Sequence, residues 1–478
     1  MDIKFTTTIA AIPIALALSA AALAATIENP SGMSAPILFG TAVPDTITNY
    51  GTVGSLYGNG LDGYGGDNVI INYGDAGWIL GSQNMIGDGG SNTISNFGTS
   101  FVIGGSYNQG PYVNGGSNIM SNFGSTSEFV GSYNWGDNSS GGFNTLFNFG
   151  TTSIIVGTGN LVGVNTKGGS NTIVNSGTVM GLGPTIGAPP TIVFGIVGSY
   201  NLGSGSSGGG NTIINSGKVT GDVVGSLNLG PGSSGGGNII LNSGIVNGDI
   251  VGSWNLGAGS SSTGNTIANS GTVNGDIWGS RDEGPGAVGG DDTITNSGIV
   301  SGSIFGGTGN DTIIHVGGSS LGGVADGGPG SDELGFDNMG SLDGSLLDTV
   351  YLSFENLGIY GGRTSLSGTW DFSGGQATVY SGNLNLRGSL IADTLTVKSG
   401  GVLTGTGRFS GRLVNFGTIS PGNSIGSLHV SGSTTFMPGS VFLAEIRPSG
   451  ASDRLSVNGP VSLRGGTVRT ALSRSLYT

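Results

Sequence analysis

A short pattern of alternating apolar and polar positions recurs along the chain at a fixed spacing. It reads Asn/Asp-x-Ile-x-Asn-Ser-Gly, and successive copies start 27 residues apart between residues 211 and 298. The four copies are Asn211–Gly217, Asn238–Gly244, Asn265–Gly271 and Asp292–Gly298. A constant period of this length is typical of a solenoid, in which each unit buries its apolar face by stacking on its neighbours.

The apolar residues of each unit form two short runs rich in Ile and Val, which predict β-strands bounded by Asn, Gly and Ser. A helix is disfavoured because each interior glycine would cost it about 1 kcal/mol. Stacked coils would place equivalent residues about 4.8 Å apart. The pattern therefore predicts an Asn ladder and an apolar stripe, formed by Asn215, Asn242, Asn269 and Asn296 and by Ile213, Ile240, Ile267 and Ile294. The predicted fold class is all-β, a right-handed parallel β-helix (solenoid) from about residue 40 to residue 478, without α-helix.

Less regular copies of the pattern extend towards the N-terminus. They begin at Asp45, Asn68, Asn92, Asn118, Asn144 and Asn171, and a predicted insertion loop follows from Gly183 to Pro190. The residue before the last glycine is aromatic in the first five copies, namely Tyr50, Tyr73, Phe97, Phe123 and Phe149. We interpret these residues as a stacked ladder of rings, with an exposed stripe that binds sugar as the alternative.

Three carboxylates also recur with the 27-residue period, at Asp222, Asp249 and Asp276. If the coils stack in register, these like charges should raise one another's pKa values. They would form either a solvated row or a weak cation-binding ladder. We expect the change of Asp249, the middle member, to Asn to stabilise the protein most at low salt.

Composition and charge restrict the function. The chain carries 28 acidic and 14 basic side chains, and its net charge of −14 argues against nucleic-acid binding. The 101 glycines would favour disorder, but apolar residues at regular positions favour an ordered fold. Residues 363–478 hold 10 of the basic residues and 4 of the acidic ones, which predicts a boundary between the repeats of 26–362 and a C-terminal cap. The absence of cysteine excludes disulfides.

The N-terminus has the pattern of a secretory signal peptide over residues 1–25. One Lys precedes an apolar run from Ile9 to Ala25, which ends in small residues. This pattern predicts cleavage after Ala24 or Ala25 and hence export. A membrane anchor is the alternative, but a span needs about 20 apolar residues.

Two glycine-rich segments suggest a metal site. Gly306–Ile313 and Gly327–Leu334 both fit the Gly-Gly-x-Gly-x-Asp-x-apolar motif of calcium-binding β-rolls. Asp311 and Asp332 are therefore candidate calcium ligands, since Ca²⁺ prefers carboxylate and carbonyl oxygens. The two copies are 21 residues apart, which is not a multiple of nine, so glycine-rich corners of the β-helix are the alternative.

The search for an active site yields no catalytic residue. His315 and His429 are the only histidines, and neither lies near a nucleophile motif. The acidic pairs Asp282-Glu283 and Asp291-Asp292 could belong to a polysaccharidase, but such an enzyme needs a basic residue and only Arg281 is near in sequence. We predict a non-enzymatic protein without a cofactor. The alternatives are a glycan-active β-helix enzyme and a calcium-binding secreted protein of the β-roll type.

The C-terminal region resembles a known family. Gly400–Gly407, Asn415–Gly426 and Ser452–Gly459 closely resemble the end of autotransporter passengers, the exported domains of type V secretion. Gly361–Trp370 resembles the passenger segment that usually lies upstream. The resemblance implies that residues 363–478 are a passenger-associated or autochaperone region, which caps the β-helix and starts its folding outside the cell.

The resemblance also implies a location and partners. An autotransporter passenger is exposed on the surface of a Gram-negative bacterium or released, and it would meet the outer-membrane translocation machinery and then a host or neighbouring cell-surface ligand, possibly a glycan. We therefore expect a structural or adhesive protein. The family continues into a translocator β-barrel, which is missing here because the sequence stops at Thr478. Without a barrel, a periplasmic location is expected.

Overall fold

The computed structural model describes residues 26–41, 43–59, 67–181, 193–447 and 449–472. The signal-peptide prediction for residues 1–25, with Ala24 and Ala25, and the predicted insertion from Gly183 to Pro190 lie outside these ranges. Strands make up nearly all regular structure in the described residues, with one short 3₁₀ turn at Gly344–Leu346. Parallel pairing links each strand to its equivalent one coil later, which confirms the parallel β-helix. Within the described part, no helix has the length and apolarity to cross a membrane.

The coils form two compact units, one that ends at Asp292 and one that starts at Thr293. In the first unit, each coil contributes one four-residue strand to the first sheet. These strands are Thr26–Asn29, Thr46–Asn49, Val69–Asn72, Thr93–Asn96, Ile119–Asn122, Thr145–Asn148, Thr172–Asn175, Thr212–Asn215, Ile239–Asn242 and Thr266–Asn269. They pair in parallel without a shift, so that equivalent residues of the repeat face one another.

The second sheet of the first unit holds the second run of each coil, which extends to ten residues in the early coils. Its strands are Ser34–Phe39, Thr52–Tyr57, Asp75–Asn84, Thr99–Asn108, Ser125–Asn134, Thr151–Asn160, Thr178–Val179, Phe194–Asn201, Lys218–Val219, Asp222–Asn228, Ile245–Val246, Ile250–Asn255, Thr272–Val273 and Ile277–Asp282. A small third sheet pairs Ser234–Gly236 with Ser261–Thr263. The sequence predicted two short runs per coil and did not predict this third strand.

The interior contains apolar columns and hydrogen-bonded asparagine ladders. Ile213, Ile240 and Ile267 are buried one above the other, as predicted. In the predicted ladder, the Asn215 amide donates to Asn242 Oδ1 at 2.8 Å, and Asn242 donates to Asn269 Oδ1 at 2.8 Å. Two further buried columns have the same geometry, and they include the pairs Asn211–Asn238 and Asn228–Asn255. Because the amides of these three columns bind the next coil, the stack satisfies polar groups that a single coil would leave unpaired.

The second unit is also built from parallel pairs, and its strands vary in length from two residues to the 18 of Thr369–Leu386. They are Thr293–Asn296, Ile299–Val300, Ile304–Phe305, Thr312–Val316, Ser320–Leu321, Ala325–Asp326, Glu333–Asp337, Gly340–Asp343, Tyr351–Leu352, Asn356–Gly361, Arg363–Ser367, Thr369–Leu386, Ser389–Gly405, Arg408–Asn415, Thr418–Pro421, Ser427–Val430, Thr434–Phe436, Val441–Ile446, Arg454–Val457, Val461–Leu463 and Thr467–Leu472. The predicted boundary after residue 362 stays a prediction.

Candidate binding surface on the first sheet

The outer face of the first sheet is a candidate binding surface in the first unit. Residues on either side of the buried isoleucine column point away from the interior, because side chains alternate between the two faces of a strand. A third outward residue of each coil is the one that follows the last Asn of the motif. These three positions form three columns, which stay in register over nine coils. The columns are Thr46, Val69, Thr93, Ile119, Thr145, Thr172, Thr212, Ile239 and Thr266; Thr48, Ile71, Ser95, Ser121, Phe147, Val174, Ile214, Leu241 and Ala268; and Tyr50, Tyr73, Phe97, Phe123, Phe149, Ser176, Ser216, Ser243 and Ser270.

None of these positions carries a charge, and we call the surface that they form the uncharged face. Charged side chains begin at its borders. Glu28 pairs with Thr48 at the N-terminal end, and the exposed Asp67, Asp75 and Lys218 lie two positions beyond its lateral columns. In a chain with a net charge of −14, this face therefore differs from its surroundings in electrostatic character.

The third column contains the predicted aromatic ladder. Neighbouring rings of Tyr50, Tyr73, Phe97, Phe123 and Phe149 have centroids 4.9 to 5.1 Å apart and planes within 11° of parallel. The stacked interpretation is therefore confirmed, but the rings also remain 45 to 49% exposed. Since each ring covers the faces of its neighbours, the exposed part of the ladder is mainly ring edges. A sugar that stacks on an aromatic face would find such a face only at the ends of the ladder.

The three repeated carboxylates lie in register at a corner of the first unit, as the period predicted. Asp222 accepts a hydrogen bond from the Asp249 backbone N–H at 2.8 Å, and Asp249 accepts one from the Asp276 N–H at 2.8 Å. Burial raises the pKa of Asp222 to about 6, the Asp249 N–H and Arg281 lower it, and the charge of Asp249 raises it further. Burial is thus a larger cause than the mutual repulsion on which the sequence argument relied.

Arg281 links this corner to two tryptophans that sequence reasoning missed. Its guanidinium lies 4.3 Å from the ring centroid of Trp254 and 5.2 Å from that of Trp278. Its Nε lies 2.7 Å from Glu283 Oε1, and its Nη1 lies 3.7 Å from Asp249 Oδ2. Cation–π contact and ion pairing therefore hold Arg281 in place. Each of the two acidic pairs noted in the sequence has one member in an asparagine column. Asp282 accepts a hydrogen bond from the Asn255 amide, and Asp292 accepts one from the Asn265 amide.

Because of this geometry, we expect the largest gain in stability from replacing Asp222 by Asn, and not from replacing Asp249. The change Asp222→Asn keeps an oxygen to accept the Asp249 N–H but removes the buried charge, so it should stabilise the protein by about 2 kcal/mol at pH 7. Relative to Asp222→Asn, wild type should gain stability as pH falls from about 6 towards 3.8, because the Asp222 carboxylate takes up a proton at a higher pH in the folded state than in the unfolded state. Denaturant unfolding of both proteins across this range checks the prediction. Parallel pH profiles would contradict it.

The calcium candidates occupy an inner column of the second unit. Asp311 and Asp332 are 1% and 0% exposed, and they take the place that the first Asn of the motif holds in earlier coils. Asp332 Oδ1 accepts the Asp311 backbone N–H at 2.7 Å. No group of three or more His, Asp or Glu side chains suited to a metal ion occurs among the residues that the structure describes. Calcium binding at these residues stays a prediction.

A chelator experiment tests that prediction. If Asp311 and Asp332 hold calcium, a calcium chelator should lower the melting temperature of wild type, and millimolar calcium should restore it. The variant Asp311→Asn/Asp332→Asn should then be insensitive to both treatments. Equal melting of wild type with and without chelator would leave these residues as members of the inner column alone.

His315 is a buried titratable group in the second unit, where it continues the column of Asn296. Its ring is 2% exposed, lies 5.4 Å from the Tyr351 ring, and its Nε2 makes no hydrogen bond. Burial lowers the pKa of His315 to about 4. The other histidine, His429, lies on an exposed strand position. His315 is thus buried, whereas His429 is exposed and pairs in register with Ser456 of the neighbouring strand.

Acid should therefore destabilise the second unit through His315. The unfolded chain binds a proton near pH 6.5 and the folded one only near pH 4, so stability is lost as pH falls between these values. The loss should reach about 3 kcal/mol. Replacement by Asn, the residue at position 296 of the same column, should abolish this component. Denaturant unfolding of wild type and His315→Asn at pH 4 to 7 measures it, and identical slopes would refute the assignment.

The segment that resembles the autochaperone region is held by one buried carboxylate. Asp453 is 7% exposed, and its two oxygens accept the backbone N–H groups of Gly426 at 2.9 Å and Glu445 at 2.8 Å. It thereby ties the turn Pro421–Gly426 to the strand that ends at Ile446. The segment Ser452–Gly459, noted in the sequence only as a resemblance, thus has a structural role through Asp453.

Comparison with known proteins gives a limited result. No protein-family model matches the chain. A stretch of 120 residues is 32% identical to an extracellular serine protease of Serratia marcescens, and this match covers 25% of the chain and 10% of the protease. The match therefore spans about a tenth of that relative's length.

Proposed function

We propose that this chain is an exported passenger of the autotransporter type that acts as a non-enzymatic adhesive β-helix at the cell surface. The observation that carries the proposal is the uncharged face with its half-exposed aromatic ladder. The five stacked rings are the continuous apolar part of this face, and soluble proteins rarely leave a large apolar patch exposed unless it binds a partner or membrane. The partner is a ligand on a host or neighbouring cell, and the export route uses the outer-membrane translocation machinery.

Three further observations support export and display. The N-terminal signal pattern, the resemblance of residues 363–478 to the autochaperone region, and the similarity to an extracellular protease all point in this direction. A stacked β-helix also suits display, since each coil is stabilised by its neighbours and no disulfide is needed. The Arg281 cluster supports the non-enzymatic proposal, because Glu283 and Trp254 already engage this cation.

A display experiment tests the function. The chain is fused to a translocator β-barrel in a Gram-negative host, and adhesion to cultured cells and to neighbouring bacteria is counted. Phe97→Ser/Phe123→Ser should reduce adhesion about tenfold, and serine is compatible with this column because Ser176 and Ser216 occupy it in later coils. Tyr112→Ser is the matched control, since Tyr112 is a 74% exposed aromatic outside the uncharged face. Adhesion no greater than that of the barrel alone would overturn the proposal.

A further inference from the structure

We propose that the uncharged face binds the same face of a second copy of this chain, so that two first units pack side by side around a two-fold axis. The inference rests on the proposed adhesive function, for which it names the partner. Three properties of the face support a second copy over other ligands. They are its charge, its spacing and its area.

The charge distribution limits where two copies can meet. Each copy has a net charge of −14, so two copies repel one another over most of their surfaces. The uncharged face is the region of the first unit where nine successive coils present no charge, and the flanking Asp67 and Asp75 stay at its rim. Contact through this face therefore buries no unpaired charge. The rim carboxylates can remain in water.

The spacing of the face matches that of a second copy. The ladder rings repeat every 4.9 to 5.1 Å, because they follow the coils. A second copy presents the same repeat by construction, so the side chains of one face can fit between those of the other, as in the dry contacts between paired β-sheets. A glycan would need open ring faces, whereas this ladder presents ring edges. The exposed Ile119 and Ile239 in the first column extend the apolar contact along the face.

The area is sufficient for a specific dimer. Nine coils at about 4.8 Å and three columns spaced two residues apart give a surface of about 40 by 18 Å. This corresponds to about 700 Å² on each copy, close to the roughly 800 Å² per partner of stable protein complexes. A two-fold axis uses one patch twice, which is the commonest arrangement in homodimers. The five coils that carry the ladder would supply only about half of this area, even with all three columns included.

Sedimentation velocity of the purified full chain tests the inference, at about 1 to 100 μM. We expect a monomer–dimer equilibrium that becomes tighter as salt screens the repulsion between copies. Ser121→Glu and Ser243→Glu each place a carboxylate on the uncharged face of both copies, and each should weaken the dimer at least about tenfold. Ser261→Glu is the matched control, because Ser261 is exposed in the small third sheet. It should leave the dimer unchanged.

The outcomes separate this inference from the proposed function. A wild-type chain that stays monomeric at the highest concentration overturns the inference, as does a dimer that Ser121→Glu and Ser243→Glu leave intact while both variants melt like wild type. If a monomeric chain still adheres to other cells or to glycans, the adhesive function stands and only its partner is wrong. If the chain dimerises through this face but the displayed protein adheres to nothing, the function fails and the dimer stands.

Discussion

Replacing Asn242 by alanine should lower the free energy of unfolding of the first unit by about 3 kcal/mol. Asn242 lies in the middle of the inner ladder and is 2% exposed. It accepts from the Asn215 amide and donates to Asn269 Oδ1, both at 2.8 Å. Alanine leaves two buried amides short of a hydrogen bond and opens a small cavity, and each of these changes costs about 1 to 3 kcal/mol. The measurement is a denaturant titration of the full chain with a probe in the first unit.

The matched control is Asn274→Ala. Asn274 donates to Asn247 Oδ1 at 2.9 Å across the same 27-residue spacing, but this pair is exposed. Water can replace a lost hydrogen bond there, so the variant should change stability by less than about 0.5 kcal/mol. Similar losses for the two variants would mean that burial of the ladder contributes nothing beyond the hydrogen bond itself. A loss below about 1 kcal/mol for Asn242→Ala would refute the importance of the inner ladder.

The sequence predicted the coil and its register because one period governs every level of the structure. Once equivalent residues stack, Asn215, Asn242 and Ile240 must each lie above their own copies, and the pairing confirms this. Two of the three asparagine columns were nevertheless missed. The sequence contained a signal for both columns. One is the first Asn of each motif, and the other is the Asn that recurs two residues after a Ser, as in Ser226–Asn228 and Ser253–Asn255. A buried amide looks unfavourable in a single coil, and only stacking supplies its partner.

Glycine pairs in the second unit do not end the strands that contain them. Gly374-Gly375 and Gly400-Gly401 lie inside the spans Thr369–Leu386 and Ser389–Gly405, which pair with one another with local shifts of register. Gly374, at a φ of +88°, lies between Phe372 and Gln376, where this strand carries more residues than its neighbour, as in a β-bulge. A sequence pattern marks the glycine pair, but whether the ladder of hydrogen bonds breaks depends on the adjacent coil.

The contacts of individual side chains were the least predictable part of the candidate site. The uncharged face could have been found by asking which outward columns lack charge. The placement of Arg281 between Trp254 and Trp278 depends on side-chain conformations that no periodicity specifies. The burial that raises the pKa of Asp222 likewise depends on how the corner packs. Periodicity therefore predicts columns, whereas charge interactions between columns require the structure.

Replacing Asp453 by alanine should destabilise the second unit by about 2 to 4 kcal/mol, because two partly buried N–H groups would lose a charged acceptor. These groups belong to Gly426 and Glu445. Asp453→Asn retains one acceptor oxygen and should lose roughly half as much. Asp371→Ala is the matched control, since Asp371 also accepts a backbone N–H, from Ser373 at 3.0 Å, but at an exposed position. Its effect on stability should stay below about 0.5 kcal/mol.

Refolding kinetics separate a structural role of Asp453 from a role in starting the folding of the β-helix. If residues 363–478 form early, as the autotransporter resemblance implies, Asp453→Ala should slow refolding of the whole chain, because a change in the folding nucleus acts mainly on the folding rate. A loss of about 3 kcal/mol expressed fully in the transition state corresponds to a refolding rate roughly 100-fold lower. If the tie forms late, the variant should unfold faster and refold at the wild-type rate. That second result would keep Asp453 as a structural tie and refute the nucleating role of the cap.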